Sequence, residues 1–244
     1  MKYHKLSRQL HQWLMALIGL QFVIWSITGV YMVVMDIDYI HGDSLIENHQ
    51  ITIDATKVNY TLPALINAYP DAIEIELGNL LEQAVYRFKR KNSGNRVMVS
   101  AIDGSLLSPL TQDTAQEIAE FYYAGGGTIS AINLIAQTPP FELSARHLPS
   151  WQIIFDDNES SVLYVSALTG NIVTKRHQYW RMFDWMFRFH VMDYQDSEID
   201  NQLLFWIALF GLIAAFSGAA LAYFRVYKPY QHKRKVSANN RVSI

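Results

Sequence analysis

LLFWIALFGLIAAFSGAALAY, Leu203 to Tyr223, is a run of 21 residues without a charge. At about 1.5 Å per residue, an uncharged apolar helix of this length matches the hydrocarbon thickness of a bilayer, so the run reads as a transmembrane helix. The segment before it, YWRMFDWMFRFHVMDY, carries Tyr179, Trp180, Phe183, Trp185, Phe187, Phe189 and Tyr194. Aromatics this dense beside a span belong at the membrane–water boundary, and His190 sits at the end of that belt. An acidic hinge, DSEID, joins the two. Towards the N-terminus, Trp13 to Met35 is a second uncharged run of 23 residues, preceded by a short basic tail. It is too long for the apolar region of a signal peptide, and SITGVYMVVMD offers no small-x-small cleavage site. The expectation is an uncleaved first span and a helical hairpin of two.

Charge orients that hairpin. All 22 Asp and Glu lie between Asp36 and Asp200 with 11 Lys and Arg, which leaves that region at −11. The other nine Lys and Arg, among them Lys2, Lys5, Arg8, Arg225 and Lys228, are in the two tails. By the positive-inside rule both termini are cytoplasmic and the middle is outside. The chain has no cysteine, which excludes disulfides, iron–sulfur ligation, a thiol nucleophile and covalent c-type haem attachment. Gly211, Ala215 and Ala219 recur every four residues, as do Ala214, Gly218 and Ala222, and Gly19, Ser26 and Gly29 are the small positions of the first span. Small residues at this spacing let helices approach closely in lipid, within the hairpin or between two copies in a homodimer.

The outer region contains an internal echo. VMVSAIDGSLL (Val97 to Leu107) aligns without a gap on LYVSALTGNIV (Leu163 to Val173), 66 residues later. Each follows an extended run, AVYRFKR and SWQIIFDD, and a helix candidate lies ahead of each in TLPALINAY and QDTAQEIAEFYY. Gly104 and Gly170 fall where a tight turn needs a residue tolerant of positive φ. The second copy carries an insert around QTPPFELSARHLPS. Two small α+β modules are therefore expected. The order is a basic tail (1–12), a span (13–35), a first module (36–108), a second module (109–177), an interfacial aromatic helix with the acidic hinge (178–200), a span (201–225) and a basic tail (226–244).

RQLHQWLMALIGL with WSITGVY, the ending SWQIIFDDNESSVLYVSALTGNIVTKR, and WRMFDWMFRFH before a span with FSGAAL resemble the PepSY-associated transmembrane family. The resemblance covers both spans and the second module, and reaches the first module through the echo. It implies a membrane α-helical hairpin carrying an extracytoplasmic α+β domain of two PepSY-like modules, a fold linked to peptidase inhibition. In a bacterium the location is the inner membrane, with residues 36–200 in the periplasm. Larger, four-span relatives include ferric-siderophore reductases that hold b-type haem between histidines; this chain departs from them in having two spans.

Haem b needs axial imidazoles and no covalent anchor. His11 matches the family's first-span histidine, His190 matches the one preceding the last span, and His41 in DYIHGD falls just past the first span. A helix of about 22 residues extends roughly 33 Å, so His11 and His190 of one hairpin cannot face the same iron. His41 and His190 can, or each pairs with a histidine of another subunit; the plainer alternative is that boundary histidines contact headgroups or cap helices. Asp184 stands three residues after Arg181 and four before Arg188, the spacing of an ion-paired stripe, which is a surface pairing or a clamp for a haem propionate or lipid phosphate. Gly125 to Gly127 lack the follow-on of a phosphate loop, and neither H-E-x-x-H nor G-x-S-x-G occurs. RFKRKNSGNR reads as a solvated hairpin tip suited to anionic headgroups or an acidic partner, and nucleic acid is not expected as a ligand. Two functions remain open: an accessory protein whose outer modules dock on a membrane or periplasmic oxidoreductase or peptidase, and a b-type haem electron carrier acting on ferric iron or another acceptor.

Overall fold

The computed structural model describes residues 2–193 and 201–230; the acidic hinge and the C-terminal tail lie outside the described residues. The contacts divide the chain into two units, one of Met1–Val34 and Asp184–Ile244, the other of Met35–Phe183.

The first unit is built on two long helices, α1 (Lys2–Val34) and α6 (Gln202–Ala222), joined by the last part of α5 (Gln178–Val191). Helix α1 begins earlier than the expected span because nothing before Gly19 interrupts it, neither proline nor glycine. Its stretch His11–Val34, like Gln202–Ala219 of α6, is long and apolar enough to cross a membrane. The two helices run antiparallel: Ile18 reaches Gly211, and His11 reaches Ser217. Ala214 is buried, so part of one small-residue stripe is used within the chain. Large apolar side chains point away, with Leu20 64% and Phe216 68% exposed. Such a surface suits lipid far better than water. Past Ala222 the helix widens into a π-turn, Tyr223–Tyr227.

The second unit opens with the single-turn α2 (Ile37–Ile40), whose N-cap Asp36 accepts the Tyr39 amide. It then runs through α3 (Leu62–Ala68), β1 (Ala72–Leu80), β2 (Gln83–Arg90) and β3 (Arg96–Ser100). The same order returns as α4 (Gln112–Tyr122), β4 (Thr128–Ile135), β5 (Ser150–Asp156), β6 (Val162–Ser166) and β7 (Ile172–Arg176). Both sheets are antiparallel, in the orders β1-β2-β3 and β4-β5-β6-β7. Thr61 and Thr111 cap α3 and α4 by accepting the amide three residues on. The first strand of each sheet slips register near its start, at Ile73/Glu76 and Ile129/Ala131. The glycine turns repeat bond for bond. Gly104 and Gly170, at φ +77° and +70°, donate to Ser100 O and Ser166 O, each at 2.9 Å, and those serines donate to Ser105 O and Asn171 O. One difference appears after the turn: the first copy returns only a bridge, Val99 to Leu106, while the second forms β7.

Strand alternation explains the packing. On β2, Ala84, Tyr86 and Phe88 pack with Leu65 of α3, while Val85 turns to the other face. There it joins Leu80 and Met98, Ile118 and Ala119 of α4, and Ile153, Phe155, Leu163 and Val165 of the second sheet. Both sheets and α4 thus share one core. Each fully buried Leu, Ile, Val or Met in it contributes about 1.5–3 kcal/mol. The outer face of β6, with Val162 and Tyr164, is closed by the insert through Leu143 and Leu148.

Candidate histidine sites in the helix pair

His190 lies on α5 against α1. Its Nδ1 is 2.9 Å from Thr28 Oγ1, its backbone carbonyl accepts the Trp25 indole N–H at 2.6 Å, and a Cβ placed on Gly29 would lie 3.5 Å from its Cε1. Thr28 is buried and its hydroxyl donates to Ile24 O at 2.8 Å. That hydroxyl has one proton, already committed to its own helix, so it accepts from His190 Nδ1–H. The lone pair of the imidazole is then on Nε2, where no hydrogen bond occurs among the described residues.

His11 repeats the arrangement at the other end. Its Nδ1 is 2.9 Å from Ser217 Oγ on α6, and Ser217 donates to Ala214 O at 2.9 Å. Again the hydroxyl accepts from Nδ1–H and Nε2 is left as the basic nitrogen. A hydroxyl one turn back-bonded to its own helix is common in membrane helices; here each one also fixes a histidine tautomer. The sequence singles out both histidines, but not Thr28, Trp25 or Ser217, because the pairings join residues far apart in the chain.

The other expected residues are placed as follows. His41 ends α2, its amide donating to Ile37 O at 2.9 Å, and its side chain is exposed near Asp43. Arg188 pairs with Asp184 at 2.8 Å, as its spacing predicts. Arg181 does not join that stripe. Its guanidinium forks onto Glu142 at 2.8 and 3.3 Å and donates to Ser160 O at 3.0 Å. Glu142 outcompetes Asp184 because it is buried and accepts from both Arg181 and the Tyr164 hydroxyl, at 2.7 Å. Burial and that carboxylate push the Tyr164 hydroxyl well above its ordinary pKa. The insert's Glu142 has no local sequence signal.

Two further clusters in the second unit are structural by their bonding. His177 is fully buried; Nε2 donates to Tyr39 O at 2.8 Å and Nδ1 accepts the Trp180 amide at 3.3 Å, so both ring nitrogens are bonded. Arg87 is buried, with Nε on Thr169 O at 2.7 Å and Nη2 on Asn79 O at 2.8 Å, tying the first sheet to the glycine turn of the second. The pair Asp156–Asp157 sits at a hairpin turn, where Asp157 accepts the amides of Glu159 and Ser161 and the hydroxyl of Tyr123.

The described residues include no group of three His, Asp or Glu placed to hold a metal ion. The donor set at each end of the helix pair is instead a single oriented imidazole, which suits an axial position on a haem iron. No protein-family model, curated protein or solved structure matches the chain. What is shown is a chain with two helices apolar enough to span a membrane and a separate unit of two antiparallel sheets.

Proposed function

We propose that this is a two-span membrane protein of the PepSY-associated transmembrane kind that carries electrons through b-type haem. His190 serves as ligand at one end of the helix pair and His11 at the other. Both tails are cytoplasmic, and the sheet-bearing unit is outside, in a bacterium the periplasm. The observation that carries this reading is the matched pair of hydroxyl-held imidazoles, Thr28–His190 and Ser217–His11, each presenting Nε2. Haem held there by His190 and His11 would supply one-electron exchange with no proton transfer at the imidazoles. The chain's own part is to fix each ring's tautomer and orientation and to hold it against an apolar helix surface. Absorption spectroscopy of the purified protein tests the reading. A Soret band that weakens in both His190→Ala and His11→Ala is expected; a protein without a Soret band after expression with ample haem refutes it.

An accessory role is the second reading, and the edge of the first sheet favours it. Among the described residues strand β1 pairs only with β2, and it exposes Ile73 and Leu77, a surface onto which a partner strand or a membrane oxidoreductase or peptidase can dock. Recovery of no partner in a gentle-detergent pull-down, with the isolated protein reducing ferric chelates, counts against it.

A further inference from the structure

Strand β2 carries a charge into the second unit. Alternation puts Arg87 on the face of Val85, towards the second sheet, and not on the solvated hairpin tip that its basic run suggests. The residue is only 7% exposed. Its guanidinium passes over Gly78, where a Cβ would stand 2.7 Å from Nη1. Nε and Nη2 are committed to the carbonyls of Thr169 and Asn79, at 2.7 and 2.8 Å. Among the described residues Nη1 makes no hydrogen bond and no carboxylate forms an ion pair with the group. Glu76, opposite it on β1, is exposed and acts on it only at a distance. Burial pulls the Arg87 pKa below its ordinary value, yet a guanidinium keeps its proton. A buried positive charge short of a counter-charge is costly, and an anion offsets that cost.

Arg87 lines a cavity of about 180 Å³ whose walls include Leu80, Ile118 and Ile172, with Tyr122 and Asn171 as further polar groups. Neither the Tyr122 hydroxyl nor the Asn171 carboxamide makes a hydrogen bond among the described residues. We propose that this cavity binds a small aliphatic carboxylate, with its oxygens on Arg87 Nη1 and its hydrocarbon end against Leu80, Ile118 and Ile172. Guanidinium and carboxylate make the stronger, charge-assisted kind of hydrogen bond. The apolar walls suit a hydrocarbon tail, whereas a bare phosphate would lose water there without replacement. Size agrees: an engineered apolar cavity of about 150 Å³ admits benzene, so this one suits a molecule such as butyrate. Because Arg87 joins β2 to the glycine turn of the second sheet, the bound acid stabilises the core that the two sheets share.

Calorimetric titration of the full chain in mild detergent with butyrate, butyramide and inorganic phosphate tests this. One butyrate per chain is expected, with butyramide and phosphate each at least about 10-fold weaker. At about ten times Kd, exchange of the β2 and Gly170 amides slows about 11-fold, since the site exists only in the folded form. Arg87→Met removes the charge but also a tie between the sheets, so Asn171→Phe is the second variant. The Asn171 main chain makes the turn's bonds while its side chain only lines the cavity, so a phenyl ring there fills the space and leaves Arg87 on its two carbonyls. Both variants weaken butyrate binding at least about 10-fold, and Asn171→Phe keeps the ligand-free exchange rates of β2. Unchanged butyrate binding in Asn171→Phe places the site elsewhere and overturns the proposal. Absence of saturable binding, or equal affinity for butyramide or phosphate, overturns it as well. A peptide ending in leucine that binds more tightly than butyrate overturns the free acid in favour of a peptide C-terminus.

Discussion

Replacing Gly170 with alanine tests whether the two sheets share a core. The backbone there has φ +70°, which costs a residue with a Cβ about 1–2 kcal/mol. The new methyl would also stand 2.3 Å from Leu80 Cδ1, with Leu110 and Ile118 at 3.5 and 3.6 Å behind it. Leu80 is itself in the shared core, so making room displaces packed neighbours, at about 1–3 kcal/mol. The expected loss is about 2–5 kcal/mol by adding the two effects. Gly94→Ala is the control. It has φ +71° but open space around it, so it carries only the conformational cost, about 1–2 kcal/mol. Hydrogen exchange of the β2 and β6 amides in the detergent-solubilised full chain reads both losses as opening free energies. Equal losses in the two variants refute the reasoning, because the turn of the second copy would then not rest on the first sheet.

Three more outcomes follow from the same contacts. Arg181→Met leaves the buried Glu142 carboxylate with the Tyr164 hydroxyl as its remaining hydrogen-bond partner; a loss of about 2–4 kcal/mol is expected in hydrogen exchange of β6, softened by the partial exposure of Arg181, and Glu142→Leu in the same chain recovers part of it. Burial, and then Asp157, push the Tyr123 hydroxyl up to about 12 from 10.0. The folded value is the higher one, so this contact stabilises fully below about pH 10 and is lost as pH rises through about 12; Tyr123→Phe removes one late-titrating phenol from the tyrosinate absorbance and flattens the alkaline loss of stability. Thr28→Val and Ser217→Ala release the Nδ1 partner of His190 and His11; on the proposed haem reading this lowers haem affinity at that end about 10–100-fold in a haem titration, and unchanged affinity refutes the orienting role.

What the sequence makes legible is what local rules govern. Length and apolarity mark both helices that are able to span a membrane, and the echo across 66 residues predicts the two glycine turns down to their positive φ. Local spacing also pairs Arg188 with Asp184, but it fails for Arg181, where a residue 39 positions away supplies a deeper, doubly bonded carboxylate. The same limit hides the hydroxyls behind the histidines and the Arg87 contact with Thr169, since each depends on which elements meet. Nor does the pattern show that the two copies merge. Val85 and Met98 read simply as strand residues until the second sheet covers them.

The topology carries everything else, and the absence of cysteine makes it directly measurable. Single replacements Asn158→Cys, at an exposed turn of the second unit, and Ser237→Cys, in the basic tail, can be probed in intact cells with a membrane-impermeant maleimide. Labelling at position 158 with protection at 237 until the cells are lysed is the predicted result. Protection at 158, or labelling at 237 in sealed cells, contradicts the account.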